Sequence, residues 1–192
     1  MKILVERLEE TPTDIAFEAG SGWWRSWMRA DRSLPKEPEE PFAVAIRAHR
    51  MGEDVYLEGA VSGELSLECS RCLACYRHAL HETFRLILEP AGSRVPADPE
   101  GAAALVRDGL CLEEEIETGW YQGTELDLAA FLHEIVALAL PVKPLCREDC
   151  AGLCPRCGAD LNHDRCTCAA VPADSPFAAL AALRKGGEEG ES

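Results

Sequence analysis

Six cysteines fall within 23 positions in the stretch CREDCAGLCPRCGADLNHDRCTC, residues 146–168. Thiols this close can make disulfides, hold a metal, exchange electrons or act as nucleophiles. The strongest signal is Cys154-x-x-Cys157-Gly158 followed by Cys166-x-Cys168. A C-P-x-C-G turn points two thiolates inward, with backbone N–H groups directed at the sulfurs, and its glycine permits the tight reversal. The second pair arrives eight residues later, far enough for a small hairpin through Leu161 and Asn162. Cys154, Cys157, Cys166 and Cys168 are therefore the preferred four ligands of a zinc-ribbon-like Zn²⁺ site. Closed Cys₄ coordination leaves no position for water, so such a zinc is structural and not catalytic. Cys146 and Cys150 leave six candidates for four places: two are bystanders, or they are alternate ligands, or a bridged two-metal cluster forms. His163 competes as well, and reduced thiols without metal are the bland alternative.

A second group, Cys69-Ser70-Arg71-Cys72-Leu73-Ala74-Cys75, sits where one long strand reverses into the next. Cys69 and Cys72 can be half of a second metal site, drawing two more ligands from Cys75, His78, His81 or Cys111. They can also be a redox pair, but a redox C-x-x-C belongs at a helix N-terminus beside a parallel strand, where the helix dipole lowers the thiol pKa. An ordinary turn with unligated thiols is the remaining reading. Cys111 alone reads as a small buried apolar residue. No G-x-G-x-x-G, P-loop or H-E-x-x-H motif is present. His133 and Glu134 are adjacent on a helix and point about 100° apart, so they do not make an acid–base pair. The expectation is a protein that is not an enzyme and takes no small-molecule substrate.

These sulfurs need elements to hold them. From Phe42 the pattern has period two: Phe42, Val44, Ile46 and Ala48 alternate with other residues, and 51–54 supplies a turn. Val55, Leu57, Val61, Leu65 and Leu67 then share odd positions, and Leu80, Phe84, Leu86 and Leu88 share even ones, as in an antiparallel meander. Gly59 and Gly63 lie on the apolar face, where glycine commonly marks a bulge or bend. Residues 91–109, rich in Gly, Pro and Ala, read as a flexible insertion, and 111–123 as a strand and turn. DLAAFLHEIVALALP is the clearest helix, with Asp127 as N-cap, an apolar stripe of Phe131, Leu132, Ile135, Val136 and Leu138, and Pro141 as its stop. Trp23, Trp24, Trp27 and Met28 suit one face of a helical turn, as packing residues before a partner surface. The expected architecture is α+β: a mostly antiparallel sheet with one main helix over 1–145, a cysteine-rich element over 146–170, then a short terminal helix and disordered tail over 171–192.

The composition narrows the function. A hydrophobic content of 47% can fill a core without disulfides, and a net charge of −15 opposes coating nucleic acid, which needs Lys and Arg to displace phosphate counterions. Acidity peaks over 91–140, with ten acidic residues against two basic ones. Acidic residues interrupt the N-terminal segment before an adequate apolar run forms, and no stretch approaches the roughly 20 apolar residues of a membrane span. The expectation is a cytoplasmic protein with reduced thiols and no membrane partner.

The pieces together resemble the YceD family, the large ribosomal RNA subunit accumulation proteins. The carriers are L-x-C-S-R-C-L (67–73), an acidic tract, D-L-x-x-x-x-x-E-x-x-x-L-x-L-P (127–141), C-R-E-D-C-x-G-L-C-P-R-C-G-A-D-L-N (146–162) and P-F-A-A-L-A-A-L (176–183). The resemblance implies a bacterial cytoplasmic protein with relatives in plant organelles, needed for processing or accumulation of large-subunit ribosomal RNA, with no known enzymatic activity. The family is often encoded beside a large-subunit ribosomal protein, which implies a role in ribosome assembly. Some members lack most of the C-terminal cysteines, which makes Cys69-Ser70-Arg71-Cys72 and Asp127 through Pro141 the better candidates for a shared role. The partner is then precursor RNA, reached through cations such as Arg71, Arg77, Lys143 and Arg147, or a basic ribosomal protein matched to the acidic 91–140 segment. The second fits the charge better. A direct RNA-binding zinc ribbon and a thiol oxidoreductase using Cys69 and Cys72 are the rivals.

Overall fold

The computed structural model describes residues 1–28, 35–113 and 117–168. Three long strands form its centre: β3 (Phe42–Met51), β4 (Asp54–Glu68) and β5 (Cys75–Pro90). They pair antiparallel in sequence order, as the period-two pattern requires. Phe42, Val44, Ile46, Val55, Leu57, Val61, Leu65, Leu80, Leu86 and Leu88 are all buried. Their alternation with polar residues follows from one covered and one wet face.

β2 (Thr13–Ala19) extends the sheet beyond β3, and β7 (Thr118–Tyr121) and β6 (Leu110–Leu112) extend it beyond β5, giving the order β2-β3-β4-β5-β7-β6. Only the β5–β7 pairing is parallel among these neighbours. A separate two-stranded ribbon joins β1 (Lys2–Leu4) to β8 (Glu125–Asp127). The sheet is mostly antiparallel and the fold class α+β, as expected.

Helix α3 (Ala129–Ala139) lies on the apolar face. Phe131, Leu132 and Val136 are buried, and the Phe131 ring meets Phe84 edge-on at 5.2 Å. Leu138, expected in the buried stripe, is 64% exposed, although seven residues at 100° each return it to within about 20° of the face of Phe131; it stands in the last turn of the helix, which ends at Ala139. Asp127 caps the helix from one position earlier than expected. Leu128 occupies the N-cap, and the Asp127 carboxylate accepts from the Ala129 N–H at 3.0 Å.

Helix α1 (Ser21–Met28) carries the tryptophans as packing residues. Trp24 is fully buried and stacks on Phe42 at 5.9 Å, while Trp23 and Trp27 flank His133 at 4.4 and 4.8 Å. Burial between the two indoles pushes the His133 pKa down to about 4.

Two further expectations are corrected. The 91–109 stretch contains a regular helix, α2 (Pro99–Asp108), where a flexible connection was expected. Asp98 caps it by accepting from Gly101, Pro99 opens its first turn, and Gly109 closes it in the left-handed conformation at φ 77°. Gly59 and Gly63 mark no bulge, since the β3–β4 register runs unbroken past Gly59 and the β4–β5 register past both. A Cβ on Gly63 would lie 2.6 Å from the Phe42 ring, and one on Gly59 would lie 2.5 Å from the Ala45 carbonyl. Close approach is what excludes a side chain there.

Candidate metal centre

The eight cysteines outside Cys75 and Cys111 gather into two sets of four. Cys69, Cys72, Cys146 and Cys150 form the first, and Cys154, Cys157, Cys166 and Cys168 the second; within each set all sulfurs lie within 4.8 Å of one another. All ten cysteines are free thiols.

The hairpin of β4 and β5 projects the first pair. Between Glu68 and Cys75 the chain turns through Cys69-Ser70-Arg71-Cys72, with the Cys69 N–H on the Ala74 carbonyl (2.9 Å) and the Leu73 N–H on the Cys69 carbonyl (2.9 Å). Leu73 adopts φ 60° to close the turn. After α3 the chain returns past this tip. The Ser70 N–H donates to the Pro144 carbonyl at 2.8 Å, which brings in Cys146 and Cys150. The Arg71 guanidinium then donates from one nitrogen to the carbonyls of Cys150 (2.8 Å) and Glu148 (3.2 Å).

The second set repeats that turn. The Cys154 N–H bonds the Ala159 carbonyl (2.8 Å), the Gly158 N–H bonds the Cys154 carbonyl (2.9 Å), and Gly158 holds φ 73°. A short hairpin follows, bridged at Leu153 and Asp160. A turn in which His163 and Asp164 donate to the Asp160 carbonyl then leads to Cys166 and Cys168.

The distances suit a tetrahedral ion. Four sulfurs at about 2.3 Å from zinc sit about 3.8 Å from each other. Cys69–Cys150 and Cys72–Cys146 are both 3.8 Å, Cys157–Cys166 is 3.6 Å and Cys154–Cys166 is 3.3 Å. A disulfide would need about 2.05 Å. The donor set is all thiolate, which selects a soft or borderline cation such as Zn²⁺. No fourth position is open to water in either set, so a bound ion would brace the chain and perform no chemistry on a substrate.

Electrostatics point the same way. N–H groups of Cys146 and Cys72 aimed at its sulfur lower the Cys69 thiol to about 6. Those of Cys157 and Arg156 lower Cys154, again to about 6. Burial pushes Cys146 up to about 12, and hydrogen bonding with Cys166 and Cys157 pushes Cys168 up to about 12. Each set thus holds one thiol prepared for ionisation, Cys69 in the first and Cys154 in the second, and metal binding would displace protons from thiols.

The first set is walled by Tyr76, Leu145 and Leu153. Cys69, Cys72 and Cys150 are buried, whereas Cys157 and Cys168 are exposed. The further ligands considered for Cys69 and Cys72 lie elsewhere: Cys75 is exposed, Cys111 is buried beside Ala91, Leu105 and Trp120, and neither His78 nor His81 joins a set. His163 is exposed and sits 4.0 Å from Asp160. The division expected at 145/146 falls within the connection that joins the sheet to the first set.

Sequence reasoning missed this long-range pairing. The available signal was arithmetic, since six cysteines in 146–168 leave two over and the hairpin tip supplies two more. It also missed Asn162, whose side chain contacts Cys150 (3.4 Å), and the inward role of Arg71. Of the other cations proposed for a partner, Arg77 pairs with Glu39 and Glu64 at 3.2 Å, Arg147 with Asp149 at 3.3 Å, and Lys143 is exposed. Among the described residues no helix is long and apolar enough to cross a membrane.

Fold and site together define an α+β protein whose longest hairpin ends in a cysteine turn that belongs to the first of two four-cysteine sets. The chain belongs to the YceD family: residues 57–184 match the family described as large ribosomal RNA subunit accumulation protein YceD. It is 22% identical over 178 residues to the chloroplastic large ribosomal RNA subunit accumulation protein YCED homolog 1 of Arabidopsis thaliana, covering 82% of this chain and 53% of that one. The maize homologue of the same description is 25% identical over 153 residues, 71% of this chain and 51% of its own. An uncharacterised protein of Mycobacterium leprae is 30% identical over 132 residues, 65% and 54% of the two chains. The chain spans about half the length of these relatives. No solved structure matches.

Proposed function

We propose that this chain is a non-enzymatic, cytoplasmic factor that supports processing and accumulation of large-subunit ribosomal RNA and assembly of the ribosome. The observation that carries the reading is the family match over residues 57–184. Two closed sets of four thiols support a structural role for Zn²⁺ and leave no open coordination position for catalysis. The partner is a basic ribosomal protein. Each filled set would add about −2 to a chain already at −15, which strengthens attraction for a cationic client and repulsion from RNA.

The state of the cations supports the same choice. Arg71 is spent on two carbonyls, Arg77 on two carboxylates, and Arg147 on Asp149 and Asn162. Of the four cations named for a partner, that leaves exposed Lys143 to meet a phosphate backbone. A direct RNA-binding zinc ribbon is thereby disfavoured, and the oxidoreductase reading suffers from the complete burial of Cys69.

Depletion of the protein in a cell that encodes it, followed by RNA blotting, tests the reading. Reduced mature large-subunit RNA with altered precursor ratios is expected, and unchanged levels and ratios would contradict it. A salt-sensitive complex with a basic ribosomal protein is expected in vitro. Salt-sensitive binding of RNA fragments without that protein would transfer the role to direct RNA recognition.

A further inference from the structure

The hairpin of the second set reaches into the first. Asn162 lies in the segment between Cys157 and Cys166, and its side-chain N–H₂ donates to the Cys150 sulfur at 3.4 Å and to the Asp160 carboxylate at 2.6 Å. Its carbonyl oxygen accepts from the Ala151 N–H (2.8 Å) and from Arg147 (2.7 Å). Two donors on one side and two acceptors on the other fix the orientation of the amide, so the N–H₂ must face the sulfur. Leu153, at the base of the same hairpin, donates its N–H to the Arg71 carbonyl at 3.1 Å and packs on the first set. At Gly152 a Cβ would sit 3.0 Å from that carbonyl, so the two turns are in close backbone contact.

We propose that the two sets bind their ions as one coupled unit, and that Asn162 is the positioning residue that carries the coupling from the second set to the first. The inference rests on the reading that both sets hold metal. Ligation at Cys157 and Cys166 ties down both ends of the segment that bears Asn162. An empty second set releases those ends, and the carboxamide loses its fixed approach to Cys150. A hydrogen bond to a ligating sulfur disperses its negative charge and holds its orientation, and outer contacts of this kind typically contribute 10–100-fold in metal affinity. Coupling is reciprocal, so a filled first set also supports the hairpin through Leu153 and Asn162.

The full chain loaded with an NMR-active cadmium isotope tests this. The two ions are assigned through their couplings to cysteine β-protons, and chelator competition is followed at each. Loss of the second set through Cys166→Ser with Cys168→Ser should weaken the first set about tenfold. Asn162→Asp keeps an oxygen toward Ala151 and Arg147 but removes the donor, and with both sets intact it should weaken the first set by a similar factor. Combining all three changes should cost little more than either alone, since both remove one contact. Two ions bound with the first set unmoved by loss of the second would overturn the coupling. Losses that multiply in the combined variant would overturn the role of Asn162. A chain that takes up no cadmium at either set would defeat the underlying metal reading instead, which the other outcomes leave standing.

Discussion

The two four-cysteine sets share one backbone turn and differ in what they hold together. In both, the first cysteine donates its N–H to the carbonyl five residues on, and the residue after the second cysteine is left-handed. The first set joins a sheet hairpin to the chain beyond α3, with Cys72 and Cys146 74 residues apart, and three of its four cysteines are buried. In the second, Cys157 and Cys166 are nine residues apart, and two of the four are exposed. Closure entropy grows with the logarithm of loop length, so cross-linking the longer loop removes about 2 kcal/mol more from the unfolded chain. With an ion in each set, the same chemistry would staple the whole fold in one place and brace a local hairpin in the other.

The largest expected effect separates these jobs. Cys69→Ser should lower the free energy of unfolding of the metal-loaded protein by about 4 kcal/mol, the scale of losing a cross-link over so long a loop. Cys166→Ser should lower it by about 2 kcal/mol, the smaller share of a cross-link over the short loop. Its main effect should be faster amide exchange over 152–168. Chemical denaturation and hydrogen exchange on the two variants check both, and equal global losses would erase the distinction.

A smaller effect is expected from Arg71. Arg71→Ala removes two charge-assisted hydrogen bonds to the Cys150 and Glu148 carbonyls and should destabilise the protein by about 2 kcal/mol. Metal release from the first set should accelerate more than release from the second, as chelator kinetics would show. The smallest pair concerns the residues that close the turns. Leu73 bears a side chain at φ 60° where Gly158 has none at φ 73°. Leu73→Gly should recover about 1 kcal/mol and Gly158→Ala should cost about 1 kcal/mol, opposite in sign because only the first relieves a left-handed side chain. Thermal unfolding with metal present measures both.

What sequence revealed follows the range of the interactions involved. β3, β4 and β5 were legible because one-sided burial writes a period of two into each strand, and α3 because its apolar residues recur at helical spacing. The Cys154–Cys168 set was legible because its turn and hairpin are local. Helix α2 was obscured by Gly, Pro and Ala around it, although Asp98, Pro99 and Gly109 form a proper start and stop. β2 was missed because a short edge strand buries little, with only Ile15, Phe17 and Ala19 turned inward. The pairing of Cys69 and Cys72 with Cys146 and Cys150 depends on how β5 and α3 return the chain to the hairpin tip. No local spacing records that return.

The central claim is that two ions, held by two separate sets, brace one scaffold. Metal content per chain, measured on the natively purified protein and on Cys69→Ser and Cys166→Ser, tests it most directly. The account predicts two equivalents of zinc in the unaltered chain and a loss at the altered set in each variant, with X-ray absorption reporting four sulfurs at about 2.3 Å from each ion. A folded chain that carries no metal, or a single ion lost equally from both variants, would contradict it.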